Sequence, residues 1–121
     1  MRGRIILFLI VAGGASLPAL NTPEERGKEL FVRRCGGCHS PGWNKEGPQL
    51  RGVYGRKAAS APDFAYSDAL KSLAIRWDDA SLDRWLTDPD RMAPGTGMAF
   101  RLADGEERKA VIAYLRSLGD R

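Results

Sequence analysis

The chain of 121 residues holds one histidine, two cysteines and three methionines, and these shortages exclude several chemistries. A structural zinc site takes four ligands as a rule, so two thiols and one imidazole would need a carboxylate to finish an unusual centre. Strict apolar–polar alternation is absent, which leaves no βαβ frame for a thioredoxin-like cysteine pair. The longest apolar run, Ile5–Ala12, falls well short of the ~20 residues a membrane-spanning helix requires. No run of Lys or Arg exceeds the pair Arg33-Arg34, so the formal charge of +4 does not mark a nucleic-acid binder. Internal repeats and low-complexity tracts are also missing, and the length fits one domain.

At the amino end, Arg2 and Arg4 precede the apolar run, and the small residues Gly13-Gly14-Ala15-Ser16 follow. That order of basic, apolar and small segments predicts a signal peptide over residues 1–19 and a domain over 20–121. Cleavage after Ala15 or after Ala19 are the two options, and Leu17 speaks against the second. An uncleaved anchor is the alternative. Removing Arg2 and Arg4 lowers the formal charge to +2. In an exported chain two thiols would ordinarily pair as a disulfide.

What is present is helical punctuation. Thr22-Pro23-Glu24-Glu25 combines a cap, a proline at the first helical position and a capping-box glutamate. Gly27, Leu30, Phe31 and Arg34 then mark one stripe that leads to Cys35. Asp104 and Glu107 form a second box signature before Val111, Tyr114, Leu115 and Leu118, and Gly119 ends that helix. Shorter helices are expected after Ser67 and after Trp77-Asp78-Asp79, the latter stopped by Pro89. The fold class is all-α with long loops. Long loops without structure usually argue against an assignment, unless a ligand orders them.

The ligand is written in Cys35-Gly36-Gly37-Cys38-His39. C-x-x-C-H is the attachment signature of c-type haem: two thiols reach the vinyl groups and the imidazole follows under the ring. One haem c per chain, bound through Cys35 and Cys38, would also enlarge the thin core of a small domain. With His39 used, no second imidazole exists for the opposite face of the iron. Once Met1 is removed only Met92 and Met98 remain as thioethers, and the turn residues Pro94–Gly97 favour Met98.

Beyond the pentapeptide, the chain resembles the class I cytochrome c family, of the mitochondrial-like and small bacterial soluble type. The likeness runs from about Glu24 to Leu118. It includes Gly27-Lys28-Glu29-Leu30-Phe31, Gly47-Pro48-Gln49-Leu50, Gly55-Arg56-Lys57, Phe64-Ala65-Tyr66-Ser67-Asp68-Ala69, Pro94-Gly95-Thr96-Gly97-Met98 and Ala113-Tyr114-Leu115. The resemblance implies terminal helices that cross, with Val111 and Tyr114 meeting Gly27 and Phe31. It implies His39 and Met98 as iron ligands and the Pro48 carbonyl as acceptor for the imidazole N–H. By the same likeness Arg56, Tyr66 and Trp77 attend the propionates and Phe100 shields the haem edge.

Departures from the family pattern are equally specific. Leu70 replaces an amide, and Trp85 stands where a tyrosine usually donates to the methionine sulfur. Asp90 and Gly97 occupy places where lysines are common, thinning the basic docking face and pointing to a bacterial partner. The implied function is that of an exported, monomeric one-electron carrier in the periplasm, not an enzyme, with transient redox-protein partners and no nucleic acid. The alternatives are a tethered subunit of a membrane oxidoreductase and a haem peroxidase with a labile sixth ligand.

Overall fold

A computed structural model of the chain describes residues 8–14 and 21–119. Most of the proposed signal peptide, including Arg2, Arg4, Ala15, Leu17 and Ala19, lies outside the described residues. Among the described residues five helices follow one another: α1 (Pro23–Arg34), α2 (Asp68–Lys71), α3 (Asp79–Thr87), α4 (Pro89–Met92) and α5 (Gly105–Ser117). No sheet forms among the described residues. A bridge between Lys57 and Arg76 ties two loops together. The all-α expectation holds, with the terminal helices in contact.

Local chemistry sets the helix ends. Thr22 accepts the Glu25 amide at 3.2 Å and Glu25 returns the bond to the Thr22 amide, closing the expected box. At α5 only half of the second box forms. Asp104 caps the amides of Glu106 and Glu107, whereas the Glu107 carboxylate faces Arg34 at 3.8 Å. A tertiary partner on α1 outcompetes the local one. α3 is closed by reciprocal bonds between Asp78 and Ser81.

α1 and α5 cross where Gly27 presents no side chain to the Ala110 carbonyl and Tyr114 Cβ. Phe31 and Tyr114 stack at a tilt nearby, ring centroids 5.3 Å apart. The row of α5 that meets Gly27 is Ala110–Tyr114. Val111, expected beside Gly27 and Phe31, is buried in the same cluster and lines a cavity together with Phe31. α3 is fastened to α5 by Arg108–Asp83 at 2.7 Å and Arg116–Asp79 at 3.1 Å.

The long middle stretch folds over this frame through few main-chain bonds. Ala58 donates to Ile75 and Trp77 to Arg56, both at 2.9 Å. Within it Ala59 sits at φ 56°, in the left-handed region that favours glycine. Ala59→Gly is therefore expected to stabilise the protein by about 0.5–1 kcal/mol, the left-handed penalty less the entropy glycine adds to the unfolded chain. Thermal unfolding should show a midpoint a few degrees higher; a lower midpoint would mean that Ala59 is not strained.

Candidate functional site

The helices and loops enclose a cavity of about 670 Å³, within the ~300–1,000 Å³ typical of ligand pockets. Close-packed interiors seldom hold voids of this size. Its floor comes from the terminal helices, through Phe31, Val111 and Leu115. One wall belongs to α3, through Leu82, Trp85 and Leu86.

All nine residues expected at the site line this one space. Cys35 caps α1 and is half-buried, while Cys38 is exposed at the mouth. The intervening turn is held by Cys38 and His39 amides donating to the Cys35 carbonyl at 3.1 and 2.9 Å. Lys45 pins the same turn from outside, its Nζ 2.7 Å from the Gly36 carbonyl. Burial pushes the Cys35 thiol up to about 11, against the pull of Arg34. A thiol held neutral is a poor redox nucleophile, which weighs further against a catalytic dithiol.

His39 is fixed from two sides. Its Nδ1 lies 2.9 Å from the Pro48 carbonyl, which can only accept, so Nδ1 carries the proton and Nε2 keeps a lone pair. Burial holds the imidazole below its ordinary pKa, with the Pro48 bond opposing. The ring therefore stays neutral, the form that binds metal. Gly47 packs against the ring so closely that a Cβ there would overlap Cε1.

Met98 and Met92 part company in three dimensions. Met98 lines the cavity, whereas Met92 is packed against the core away from it. The Trp85 indole N–H donates to Met98 Sδ at 3.2 Å. Trp85 is itself braced edge-on by Trp77, ring centroids 5.5 Å apart. The reach of that indole was open from sequence, and the position of α3 decides it.

The other wall is polar. Arg56 donates Nη1 to the Arg51 carbonyl at 3.3 Å and Nη2 to the Gln49 carbonyl at 3.1 Å. Its Nε is buried without a partner, an orphan donor that a bound acid group would satisfy. Tyr66 accepts the Ala61 amide at 3.0 Å, which leaves its hydroxyl proton free to donate. Phe100 is half-buried at the lip. The cavity thus offers two thiols, a neutral imidazole and a thioether around an apolar space, with an unsatisfied guanidinium to one side. That donor set fits a covalently attached haem.

Several contributors had no chemical signature. Val53 and Ala59 line the space as simple apolar surface, and Phe64 leans edge-on against Tyr66 at 4.8 Å; Leu70, singled out in the sequence for replacing an amide, lines it too. The α3 stripe was the only signal that could have found Leu82 and Leu86.

Comparison with known proteins agrees with this geometry. The sequence pattern of the family described as Cytochrome c matches residues 24–119. The chain is 48% identical over 99 residues to cytochrome c of Euglena viridis, covering 79% of this chain and 97% of that one. To cytochrome c-550 of Bradyrhizobium diazoefficiens it is 47% identical over 77 residues, 61% of this chain and 56% of that protein. The structure of cytochrome cH from Methylobacterium extorquens superimposes with a TM-score of 0.74 at 41% identity, covering 78% and 97% of the two chains.

Proposed function

Because the chain belongs to the class I cytochrome c family, whose members carry electrons on covalent haem c, we propose that it is an exported one-electron carrier with its iron held between His39 and Met98. When bound, haem c supplies a one-electron ferric–ferrous couple.

The protein's share is to select the ligands and fix them. His39 would offer Nε2, because Pro48 already occupies Nδ1. Met98 would offer a neutral thioether, held in place by Trp85. Such a pair favours ferrous iron and raises the potential. The apolar wall of Leu82, Trp85 and Leu86 acts in the same direction, since a dry surrounding disfavours the extra positive charge of the ferric state. Arg56 and Tyr66 would meet the propionates, and Phe100 would cover the edge where partners approach.

One observation carries the reading. Both cysteines, the only histidine and one of the two internal methionines share a single cavity, and that methionine's sulfur is already held by a buried donor. Nothing in the cavity supplies a distal acid–base histidine, which disfavours peroxidase turnover. Among the described residues no helix is long and apolar enough to cross a membrane. Export rests on the basic, apolar and small segments before Thr22.

The test is an absorption spectrum of oxidised and reduced protein, produced with haem-attachment machinery, together with Met98→Ala and Met92→Ala. The parent should be low-spin with a weak far-red methionine band. Met98→Ala should abolish that band and lower the potential by a sizeable part of the ~0.8 V range over which axial ligands act. Met92→Ala should leave both nearly unchanged. A high-spin parent that responds to cyanide would replace this reading with an open, enzyme-like iron.

A further inference from the structure

Met98 sits in a stretch with little support of its own. Among the described residues, no main-chain hydrogen bond to another main-chain group involves residues 97–101. The nearest such ties are the Thr96 amide to Ala93 at 2.9 Å before it and the Leu102 amide to Leu86 at 2.7 Å after it. A segment held only at its ends opens at low cost, so side chains must hold what the backbone does not.

Two carboxylates from the corner between α3 and α4 do so. The Asp90 carboxylate accepts the Gly95 amide at 3.0 Å, fastening a turn in which Gly95 adopts φ 85°. The Asp88 carboxylate pairs with Arg101 Nη2 at 3.2 Å. Gly95 and Arg101 lie three residues before and three residues after Met98. The loop is thus gripped on both sides of the thioether. Asp88 closes α3 and caps α4, accepting the Arg91 amide at 3.3 Å, so the gripping groups stand on short helices and not on another loop.

We propose that Asp88 and Asp90 are positioning residues for Met98, clamping its loop against the cavity and setting how readily an outside ligand takes its place. The proposal rests on the reading of Met98 as an iron ligand. Neither carboxylate lines the cavity; both act through the loop. The Asp90 contact is exposed and so is the Arg101 side of the other, so each contributes modestly and the clamp depends on the pair.

The experiment is titration of the ferric holoprotein with imidazole, followed in the Soret and far-red bands, for Asp90→Ala, Arg101→Ala, their combination and Asp90→Asn. Loss of one exposed tie should raise imidazole affinity about threefold, and loss of both about tenfold. Asp90→Asn keeps an oxygen that can accept the Gly95 amide and should match the parent, which a merely electrostatic role would not allow. Parental imidazole affinity in the double variant would overturn the clamp, as would Asp90→Asn behaving like Asp90→Ala. Met98→Ala separates the two ideas. If it leaves the far-red band and the imidazole affinity untouched, the ligand reading falls and the clamp with it. If it removes the band while the double variant behaves as the parent, only the clamp falls.

Discussion

Replacing Gly27 by alanine is expected to cost about 3 kcal/mol of stability, and replacing it by valine to leave little folded protein. The added Cβ would overlap the carbonyl oxygen of Ala110 and stand 2.8 Å from Tyr114 Cβ. The first of these obstacles is backbone inside α5, so no change of rotamer relieves it. α5 cannot retreat freely either. It is tied to α3 through Arg108–Asp83 and to the 102–103 loop through Arg108 Nη1, which reaches the carbonyls of Leu102 and Ala103 at 2.9 Å. Prising the crossing apart would also move Phe31, Val111 and Leu115, which form the cavity floor. Gly42→Ala is the matched control, because a Cβ there meets nothing within 4 Å. Denaturant unfolding followed by far-UV circular dichroism measures both. A Gly27→Ala protein within about 1 kcal/mol of the parent would mean that the helices do not cross this closely.

Gly47→Ala should strike the site more than the fold. Here the Cβ would overlap the His39 ring, 2.6 Å from Nδ1 and 2.8 Å from Nε2. The loop has no slack to give: Gly47 donates to the Cys38 carbonyl at 2.8 Å, accepts from Lys45 at 2.9 Å, and Asn44 holds the Gln49 amide at 2.9 Å. The ring must therefore tip, and the 2.9 Å bond to Pro48 is lost with it. Removing a ligand's hydrogen-bonded support typically weakens metal binding by about 10–100-fold. Protons compete with iron for the same nitrogen. Weaker ligation therefore means that His39 leaves the iron at higher pH, by roughly one to two units for that loss. An acid titration followed by the low-spin to high-spin change reads this directly. An unchanged midpoint would show that the contact between Gly47 and the ring does not position the ligand.

Both sites show where reading the chain stops. Gly47 appears in sequence only as a glycine within a longer matching segment, and Gly27 is placed at the implied helix crossing without any sign of how closely the two backbones approach. Their importance comes from a ring eight positions back and a helix more than eighty positions on. The same limit applies to Glu107, whose box signature is genuine but whose carboxylate finds Arg34 instead. It applies to the α5 face as well. A periodic stripe names buried residues without saying which backbone comes nearest α1: it marked Val111 and Tyr114, and it is the Ala110 carbonyl that stands against Gly27.

What the sequence determined by itself was chemistry and punctuation. Thr22, Ser67, Asp78 and Asp104 each cap a helix, because a side-chain oxygen satisfies an amide only a few residues away and needs no partner from elsewhere. Cys35, Cys38 and His39 are spaced for haem for the same local reason. Tertiary structure alone decided whether the Trp85 indole reaches a sulfur thirteen residues on, and how Asp88 and Asp90 grip the loop that carries that sulfur. Those outcomes depend on the placing of whole elements by the α1–α5 crossing, and contacts across that distance leave no period or spacing along the chain.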